Sequence, residues 1–550
     1  MAIYQGDLEK VTSLCGDPDV DLDFQTGGFT AFYGACEFGR EDMISLLLAH
    51  PRLDPNIARN DKTTPFSIVC YKGHTTVVSQ LLADSRIDVS KPDDSGATPF
   101  YWACEQGHEE VVALLLADPR VDLNTADKGG FTPFSIACLR GHTKVVSQLL
   151  EVSGINVSKK DDSGATPFFW ACQSGHSDVI SLLLGDSRID PTSANNDKVT
   201  PFHFACGNGH PLVVSLLLGN PRIVVTELDA DGCTPFYCAC QEGHNAVTVL
   251  LLADLRVDPN TAKKNKTPFS MACYGGHTNV VSQLLGDSRI DVSKPDDSVA
   301  TPFYWACQQG HEEVVALLLA DQRVDPNTAK KDETTTFSMA CYKGHTNVVS
   351  LLLGDSRVEI SKPDDSGATP FYWACQQGHK EVVALLQFDE RIDLNTPTNT
   401  GRTPFYSACR KGDALLVSLL LANPRIDPNR PDDDNGATPL WFASTNGHLA
   451  VVQHLLASGR DLNTKIRSTF NNNTAAEQGR LMANASKQNY EDDGDLARRQ
   501  RNCTVIADLI DAFETDPTEI RSQLKKKLGL PGKTLLWPFV KSLIPQYPSF

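Results

Sequence analysis

Short apolar stretches recur along this chain at a nearly constant interval, and polar turns rich in Asp, Asn, Pro and Gly separate them. One unit begins at Thr98, whose hydroxyl can cap a helix, and Pro99 suits the first helical position, where no amide hydrogen is needed. Gly107 suits the left-handed conformation that ends a helix, and residues 108–116 then carry apolar side chains at helical spacing. The pattern therefore predicts two short helices and a long turn in each unit.

The unit recurs thirteen times, and a threonine marks each copy. These threonines are Thr30, Thr64, Thr98, Thr132, Thr166, Thr200, Thr234, Thr267, Thr301, Thr335, Thr369, Thr403 and Thr438. They lie 34 residues apart, except for 33 before Thr267 and 35 before Thr438. A single unit cannot bury its apolar face, so stability has to come from stacking on neighbouring units. We therefore expect an all-α solenoid, on the order of 100 Å long if adjacent helices lie about 8 to 10 Å apart.

The segment TPFYWACEQGHEEVVALLLADPRVDLN resembles the ankyrin repeat, whose signature is Thr-Pro-Leu-His-x-Ala. The resemblance extends from residue 30 to about residue 463 and implies an ankyrin-repeat solenoid of helix-turn-helix units with hairpin-like turns. Phe replaces the signature Leu in every unit except the last, which has Leu440, and the signature His is present only as His203. The family's hydrogen bond between Thr and that His therefore has to be replaced in the other units. The turn is also one residue longer than the family's, which explains the period of 34.

The repeat boundaries divide the chain into three parts. Residues 1–463 form the repeat array, which opens with a truncated unit in which Tyr4-Gln5-Gly6 aligns with the end of a first helix. Residues 464–514 are expected to be a degenerate capping repeat, with a polar insertion around residues 491–493 and a second helix over 502–514. Residues 515–550 are expected to form a further helix and an apolar tail, which either folds back on the last repeats or docks another protein.

Composition narrows the classes of function. The chain has 550 residues and a formal net charge of −18, which argues against nucleic acid or an anionic membrane as the main partner. No stretch approaches the roughly 18 consecutive apolar residues of a membrane span, and the first residues do not resemble a signal peptide. We therefore expect a cytoplasmic protein whose sixteen cysteines stay reduced.

Repetition also argues against catalysis, cofactor binding and metal binding. Twelve cysteines occupy one repeat position, where stacking would hold them too far apart for disulfides, so they are expected to be small core residues. A His follows four residues later in most units, but one Cys and one His per unit do not supply four zinc ligands. The densest cluster is Cys233, Cys238, Cys240 and His244, for which a core role is favoured because Cys238 occupies the position of Trp102 in a sister unit. No phosphate-binding loop, unique catalytic constellation or small-molecule site is evident.

By the family pattern, partner proteins contact the two positions after the recurrent Cys, on the concave face. The candidate contact residues are Tyr71, Lys72, Glu105, Gln106, Arg140, Gln173, Gln241, Glu242, Tyr274, Gln308, Gln309, Tyr342, Lys343, Gln376, Gln377, Arg410 and Lys411. Tyr/Lys units alternate with Gln/Glu units, and turns with Asp-Asp pairs alternate with turns such as Lys263-Lys264, so the full period is 68 residues. This alternation indicates either recent duplication of a two-repeat cassette or a ladder of equivalent sites for an extended partner.

The function expected from these observations is that of a non-catalytic scaffold for protein–protein interactions. The alternative is an adaptor that presents bound proteins to an enzyme, such as a ubiquitin ligase, through residues 515–550.

Overall fold

The computed structural model describes residues 7–17, 19–486 and 493–530, with the side chain of residue 493 excepted. The chain divides into two compact units, residues 1–263 and residues 264–550, and each is described separately. Within the described residues, regular structure is helical, and the only bridges between extended residues are isolated ones, such as that between Thr26 and Phe29.

The first unit contains fifteen helices in its described residues. They are α1 (Leu8–Cys15), α2 (Ala31–Glu37), α3 (Glu41–Leu48), α4 (Pro65–Lys72), α5 (Thr75–Leu82), α6 (Pro99–Gln106), α7 (Glu109–Ala117), α8 (Pro133–Arg140), α9 (Thr143–Leu150), α10 (Pro167–Ser174), α11 (Ser177–Gly185), α12 (Pro201–Gly207), α13 (Pro211–Leu218), α14 (Pro235–Gln241) and α15 (Asn245–Ala253).

The second unit also contains fifteen helices in its described residues. They are α16 (Pro268–Gly275), α17 (Thr278–Leu285), α18 (Pro302–Gln309), α19 (Glu312–Ala320), α20 (Thr336–Lys343), α21 (Thr346–Gly354), α22 (Pro370–Gln377), α23 (Lys380–Leu386), α24 (Pro404–Lys411), α25 (Ala414–Leu421), α26 (Pro439–Thr445), α27 (Leu449–Ala457), α28 (Ala475–Ala483), α29 (Asp493–Thr515) and α30 (Pro517–Leu528). Up to α29, even numbers denote the first helix of a repeat and odd numbers the second.

The ends of the first helices confirm the sequence prediction. At α6 the Thr98 hydroxyl accepts a hydrogen bond from the Tyr101 amide at 3.2 Å, and Pro99 occupies the first helical position. Gly107 ends the helix with a φ of 74°, a left-handed conformation that other residues adopt only with strain. The same local rules apply along both units, which explains why such short helices form at regular intervals.

Two layers of helices bury the core of each unit. First helices pack against the first helices of neighbouring repeats, and more extensively than second helices pack against each other. In one repeat, α6 packs on α7, and Phe100 and Cys104 of α6 and Val111 and Leu115 of α7 are all fully buried. The twelve recurrent cysteines are equally buried and unpaired, as expected for small core residues.

The signature His contact is kept in one unit and replaced in others. His203 keeps the family contact, with its Nδ1 atom 2.7 Å from the Thr200 hydroxyl. In three of the four units with Ser at this position the hydroxyls bond to each other instead, as for Thr64 and Ser67 at 2.9 Å, whereas Ser338 Oγ has no partner among the described residues. The expectation that the Thr–His bond is replaced is therefore confirmed for those three units.

The long turn contains an Asp and, two residues later, an Arg that contacts the preceding repeat. We call this arrangement an Asp-x-Arg clamp. Arg120 makes a two-point contact with the Asp118 carboxylate, and its Nη2 atom also donates to the Leu82 carbonyl of the preceding repeat at 2.8 Å. That carbonyl belongs to the last residue of α5, where a cation also favours the helix dipole. Clamps of this type, in which the Arg also donates to a carbonyl of the preceding repeat, are formed by Arg86, Arg120, Arg188, Arg256, Arg323, Arg357 and Arg391.

The region after residue 463 contains a helix pair and a further helix. Helices α28 and α29 pack together, and α29 begins at Asp493, nine residues before the predicted start at residue 502. The prediction was wrong here because Arg499, which is polar in sequence, is largely buried and extends the packed face of Cys503 and Ile506. Helix α30 packs on α27. The predicted apolar tail, most of the polar insertion and the Tyr4-Gln5-Gly6 segment lie outside the described residues.

Candidate functional site

The candidate contact residues lie in or next to the last turn of the first helices, because the recurrent Cys is three residues before the helix-ending Gly. Tyr71 and Lys72 end α4 and are exposed. In the other class of unit, Gln106 ends α6 and is exposed, whereas Glu105 is partly buried. Among the remaining candidates, Arg140, Gln241, Glu242, Tyr274, Gln309, Lys343, Arg410 and Lys411 are exposed, and Gln173, Gln308, Tyr342, Gln376 and Gln377 are partly buried.

Each Tyr of the Tyr/Lys class packs on a Trp of the following repeat. The ring centroids of Tyr71 and Trp102 are 5.5 Å apart in an edge-to-face arrangement. The second unit has two equivalent pairs, Tyr274 with Trp305 at 5.6 Å and Tyr342 with Trp373 at 5.4 Å. We call each such pair an aromatic step. Contacts of this geometry are worth about 0.5–1.5 kcal/mol beyond the buried area, so the steps connect neighbouring repeats as well as offering a surface.

A lysine lies over the tyrosine ring of two steps. The Nζ atom of Lys72 is 5.4 Å from the centre of the Tyr71 ring, and that of Lys343 is 5.6 Å from the centre of the Tyr342 ring. At the remaining step Lys266 covers the Trp305 ring at 4.9 Å. An ammonium over an aromatic face is attracted to its π electrons, so the sequence pair Tyr-Lys produces a cation held next to an apolar ring.

The tryptophan of each step is fixed by the turn before it. Trp102 Nε1 donates to Asp93 Oδ2 at 2.9 Å, while Asp93 Oδ1 accepts from the Ser95 and Ala97 amides. The same indole–carboxylate bond occurs at Trp170, Trp305 and Trp373. The first Asp of each Asp-Asp turn is therefore used within the repeat, and the second Asp, such as Asp94, is the exposed one. Sequence alone does not distinguish the two carboxylates.

Three of the five units of the Gln/Glu class have a buried side-chain oxygen without a hydrogen-bond donor among the described residues. The atoms are Glu105 Oε2, Gln308 Oε1 and Gln376 Oε1. Glu105 uses its other oxygen to accept from Arg140 Nη2 at 2.7 Å, so two of the candidate residues meet across neighbouring repeats. A buried acceptor without a donor costs about 1–3 kcal/mol, which a donor from another molecule can recover.

The histidines that follow the helix-ending glycines donate to the backbone carbonyl of the residue after the recurrent Cys in the preceding repeat. His142 Nε2 donates to the Glu105 carbonyl at 2.7 Å, and His108 Nε2 donates to the Tyr71 carbonyl at 2.9 Å. Equivalent bonds are made by His74, His108, His142, His176, His210, His244, His311, His345, His379 and His448. The His of each Cys-x₃-His segment therefore makes a contact between repeats. The sequence signal for this contact is the nearly constant number of residues between each His and the residue whose carbonyl it contacts.

Lys411 differs from the other candidates because its ammonium has a structural partner. Asp413 replaces the recurrent His in this repeat, and Lys411 Nζ donates to the Gln377 carbonyl, one residue after the Gln376 carbonyl that corresponds to the usual His acceptor. Lys411 stabilises the repeat stack here, as His142 does elsewhere.

The cysteine cluster contains two buried thiols, Cys233 and Cys240, and a partly buried one, Cys238. Cys240 is fully buried, and His244 bonds to the Gly207 carbonyl at 2.8 Å. Cys238 is only partly buried and lies with Cys233 beside Asp229. The burial of Cys233 and Cys240 agrees with the core role expected for the cluster, and Cys238 is partly buried, as is the Trp102 whose position it occupies.

The repeat units agree with a known family. The chain matches the family model for ankyrin repeats, described as three copies per match, at residues 51–127, 119–195, 187–263, 251–330, 318–398 and 384–466. Comparison with curated proteins gives no match. Within the described residues, no helix combines the length and apolar character needed to cross a membrane. Ankyrin repeats indicate a protein-interaction scaffold in general, and the matches span most of the chain, which therefore belongs to the ankyrin-repeat family.

Proposed function

We propose that this chain binds an extended partner protein along the ends of its first helices, with the aromatic steps as the main contacts. The observation that carries the proposal is the repetition of one surface group, a Tyr packed on the next repeat's Trp with a lysine over one of the rings. Tyr and Trp are the residues that most often dominate binding energy in protein interfaces.

The unpartnered acceptors indicate what chemistry the partner needs. Gln308 Oε1 and Gln376 Oε1 are buried acceptors at equivalent positions 68 residues apart. A partner segment with N–H donors can bond to them while its apolar groups cover the tyrosine rings. Two equivalent sites on one unit favour an extended or repetitive segment, because the second contact then forms at a high effective concentration.

The proposal assigns no catalytic role to the chain and retains a cytoplasmic location. The recurrent thiols are buried in the core, and burial raises the pKa of Cys104 and its equivalents, so they are poor nucleophiles. The recurrent histidines use Nε2 to donate to carbonyl groups of the preceding repeat, as His142 does to Glu105. Sixteen unpaired cysteines suit a reducing compartment.

The test compares steps within the second unit. Cross-linking mass spectrometry in the native cell first identifies proteins that contact helices α16 to α22, and their affinity for the full chain is then measured. Tyr342→Ala with Lys343→Ala should weaken binding about 30-fold, the effect of losing roughly 2 kcal/mol at a hot spot. Tyr274→Ala should have a similar effect, and combining the steps should weaken binding further.

A matched control lies on the opposite layer. Glu381 is exposed in the first turn of α23, a second helix, so Glu381→Ala should leave affinity unchanged. If one step carries all of the binding and the other carries none, the ladder is wrong. If neither step matters, the proposed surface is wrong.

A further inference from the structure

One repeat of the first unit departs from its sisters at three neighbouring positions. Asp229, Cys233 and Cys238 occupy the places that Asp93, Ala97 and Trp102 hold in a sister repeat. In that sister repeat the Asp93 carboxylate accepts the indole N–H of Trp102 at 2.9 Å. Here Cys238 replaces the Trp, so the carboxylate faces two thiols instead of an indole.

These three side chains converge on one point. The carboxylate oxygen of Asp229 and the Sγ atoms of Cys233 and Cys238 all lie within 4.8 Å of one another. The backbone holds them there, since the Cys233 amide donates to Asp229 Oδ1 at 2.8 Å and the Cys238 amide donates to the Thr234 carbonyl at 3.1 Å. Cys233 precedes the helix cap Thr234, and Cys238 lies in the first turn of α14, so the two thiols are fixed by the start of that helix.

Lys263 places a positive charge beside these three side chains. Lys263 Nζ donates to Asp231 Oδ2 at 3.1 Å and lies next to the Cys233 thiol. Two thiolates and one carboxylate carry three negative charges, and a divalent cation neutralises two of them. The hairpin that carries Lys263 is also the one shortened by a residue, with 33 residues between Thr234 and Thr267.

We propose that Asp229, Cys233 and Cys238 bind a thiophilic divalent cation of the Zn²⁺ class. Tetrahedral zinc with sulfur ligands at about 2.3 Å places two sulfurs about 3.8 Å apart, so the two Sγ atoms have to approach each other by at most about 1 Å. Two thiolates and a carboxylate suit zinc better than calcium or magnesium, which select oxygen ligands. Three protein ligands leave a fourth position for water or for a donor from a bound partner.

The test uses the reduced, metal-free full chain. Cd²⁺ is titrated while thiolate-to-metal charge-transfer absorbance is recorded, and Zn²⁺ is titrated in competition with a chromophoric chelator. We expect one equivalent bound per chain. Cys238→Trp and Cys233→Ala install the residues of the sister repeat, so both variants should keep the native circular dichroism spectrum while Zn²⁺ affinity falls at least about 100-fold.

Cys172→Ala is the control, because it removes a buried thiol outside the group and should leave affinity unchanged. Absence of Zn²⁺ or Cd²⁺ binding by the reduced wild-type chain would overturn the proposal. Equal binding by the folded Cys238→Trp variant, or a Cys233–Cys238 disulfide in the native chain, would overturn it as well.

Discussion

The close approach of Gly107 to His142 tests how adjacent repeats are held together. Gly107 has a φ of +74°, and a Cβ added there would lie 2.5 Å from His142 Nδ1. Gly107→Ala therefore has two effects. An alanine in the left-handed conformation costs about 1–2 kcal/mol. Displacing the imidazole also breaks its 2.7 Å bond to the Glu105 carbonyl, which costs about 1–2 kcal/mol more.

A second glycine isolates the first of these effects. Gly232 has a φ of +82°, but a Cβ added there would meet no atom within 4 Å. Gly232→Ala should therefore lower the free energy of unfolding by about 1–2 kcal/mol only. The total expected for Gly107→Ala is about 2–4 kcal/mol, so the two variants should differ by the contribution of the contact between repeats.

The assay is urea unfolding followed by circular dichroism, with wild type and variants compared for midpoint and slope. A double-mutant cycle adds His142→Ala, which removes the ring that an alanine at position 107 would strike. Because the hydrogen bond can be lost only once, the double variant should lose less stability than the sum of the single variants. Equal losses for Gly107→Ala and Gly232→Ala, or strict additivity in the cycle, would refute the reasoning.

Two further predictions concern the turns. The Arg120 side chain lowers the pKa of Asp118 by hydrogen bonding, so the clamp stabilises the fold above the carboxyl's unfolded pKa of about 3.9 and is lost as pH falls through the lowered value. Arg120→Met should cost about 0.5–1 kcal/mol at pH 7, after allowance for the exposed guanidinium. The difference from wild type should shrink at low pH to the part contributed by the bond to the Leu82 carbonyl, which does not titrate, and a difference that is as large in acid as at pH 7 would contradict the ion pair. Trp102→Phe keeps an aromatic ring next to Tyr71 but removes the donor to Asp93, and urea unfolding should show a loss of about 1–3 kcal/mol; an unchanged midpoint would show that the carboxylate does not depend on the indole.

The features that sequence predicted are those set by local rules within one unit. Thr98, Pro99 and Gly107 specify the helix ends through backbone chemistry, and the period places Cys104 in the core. The long first portion of α29 was missed because the burial of Arg499 depends on a neighbouring helix. Polar residues can join a packed face in a way that periodicity does not reveal.

The contacts between repeats were the main omission. The bond from His142 to Glu105 spans 37 residues, and the clamp from Arg120 to Leu82 spans 38. Neither partner is unusual in its own unit, so only the relative placement of two repeats shows that they meet. The candidate positions, such as Tyr71, followed from the family pattern, but the edge-to-face contact with Trp102 depends on side-chain orientation across a repeat boundary.

The aromatic steps also limit how the number of repeats in this chain can change. Each step joins a Tyr unit to a following Trp unit, as in Tyr71 with Trp102 and Tyr342 with Trp373. Gain or loss of one 34-residue repeat would place two units of the same class side by side and leave a ring without its partner. Gain or loss of 68 residues keeps each Tyr unit in front of its Trp unit. Unequal recombination that preserves the pair of units would therefore yield longer or shorter chains that keep these aromatic contacts.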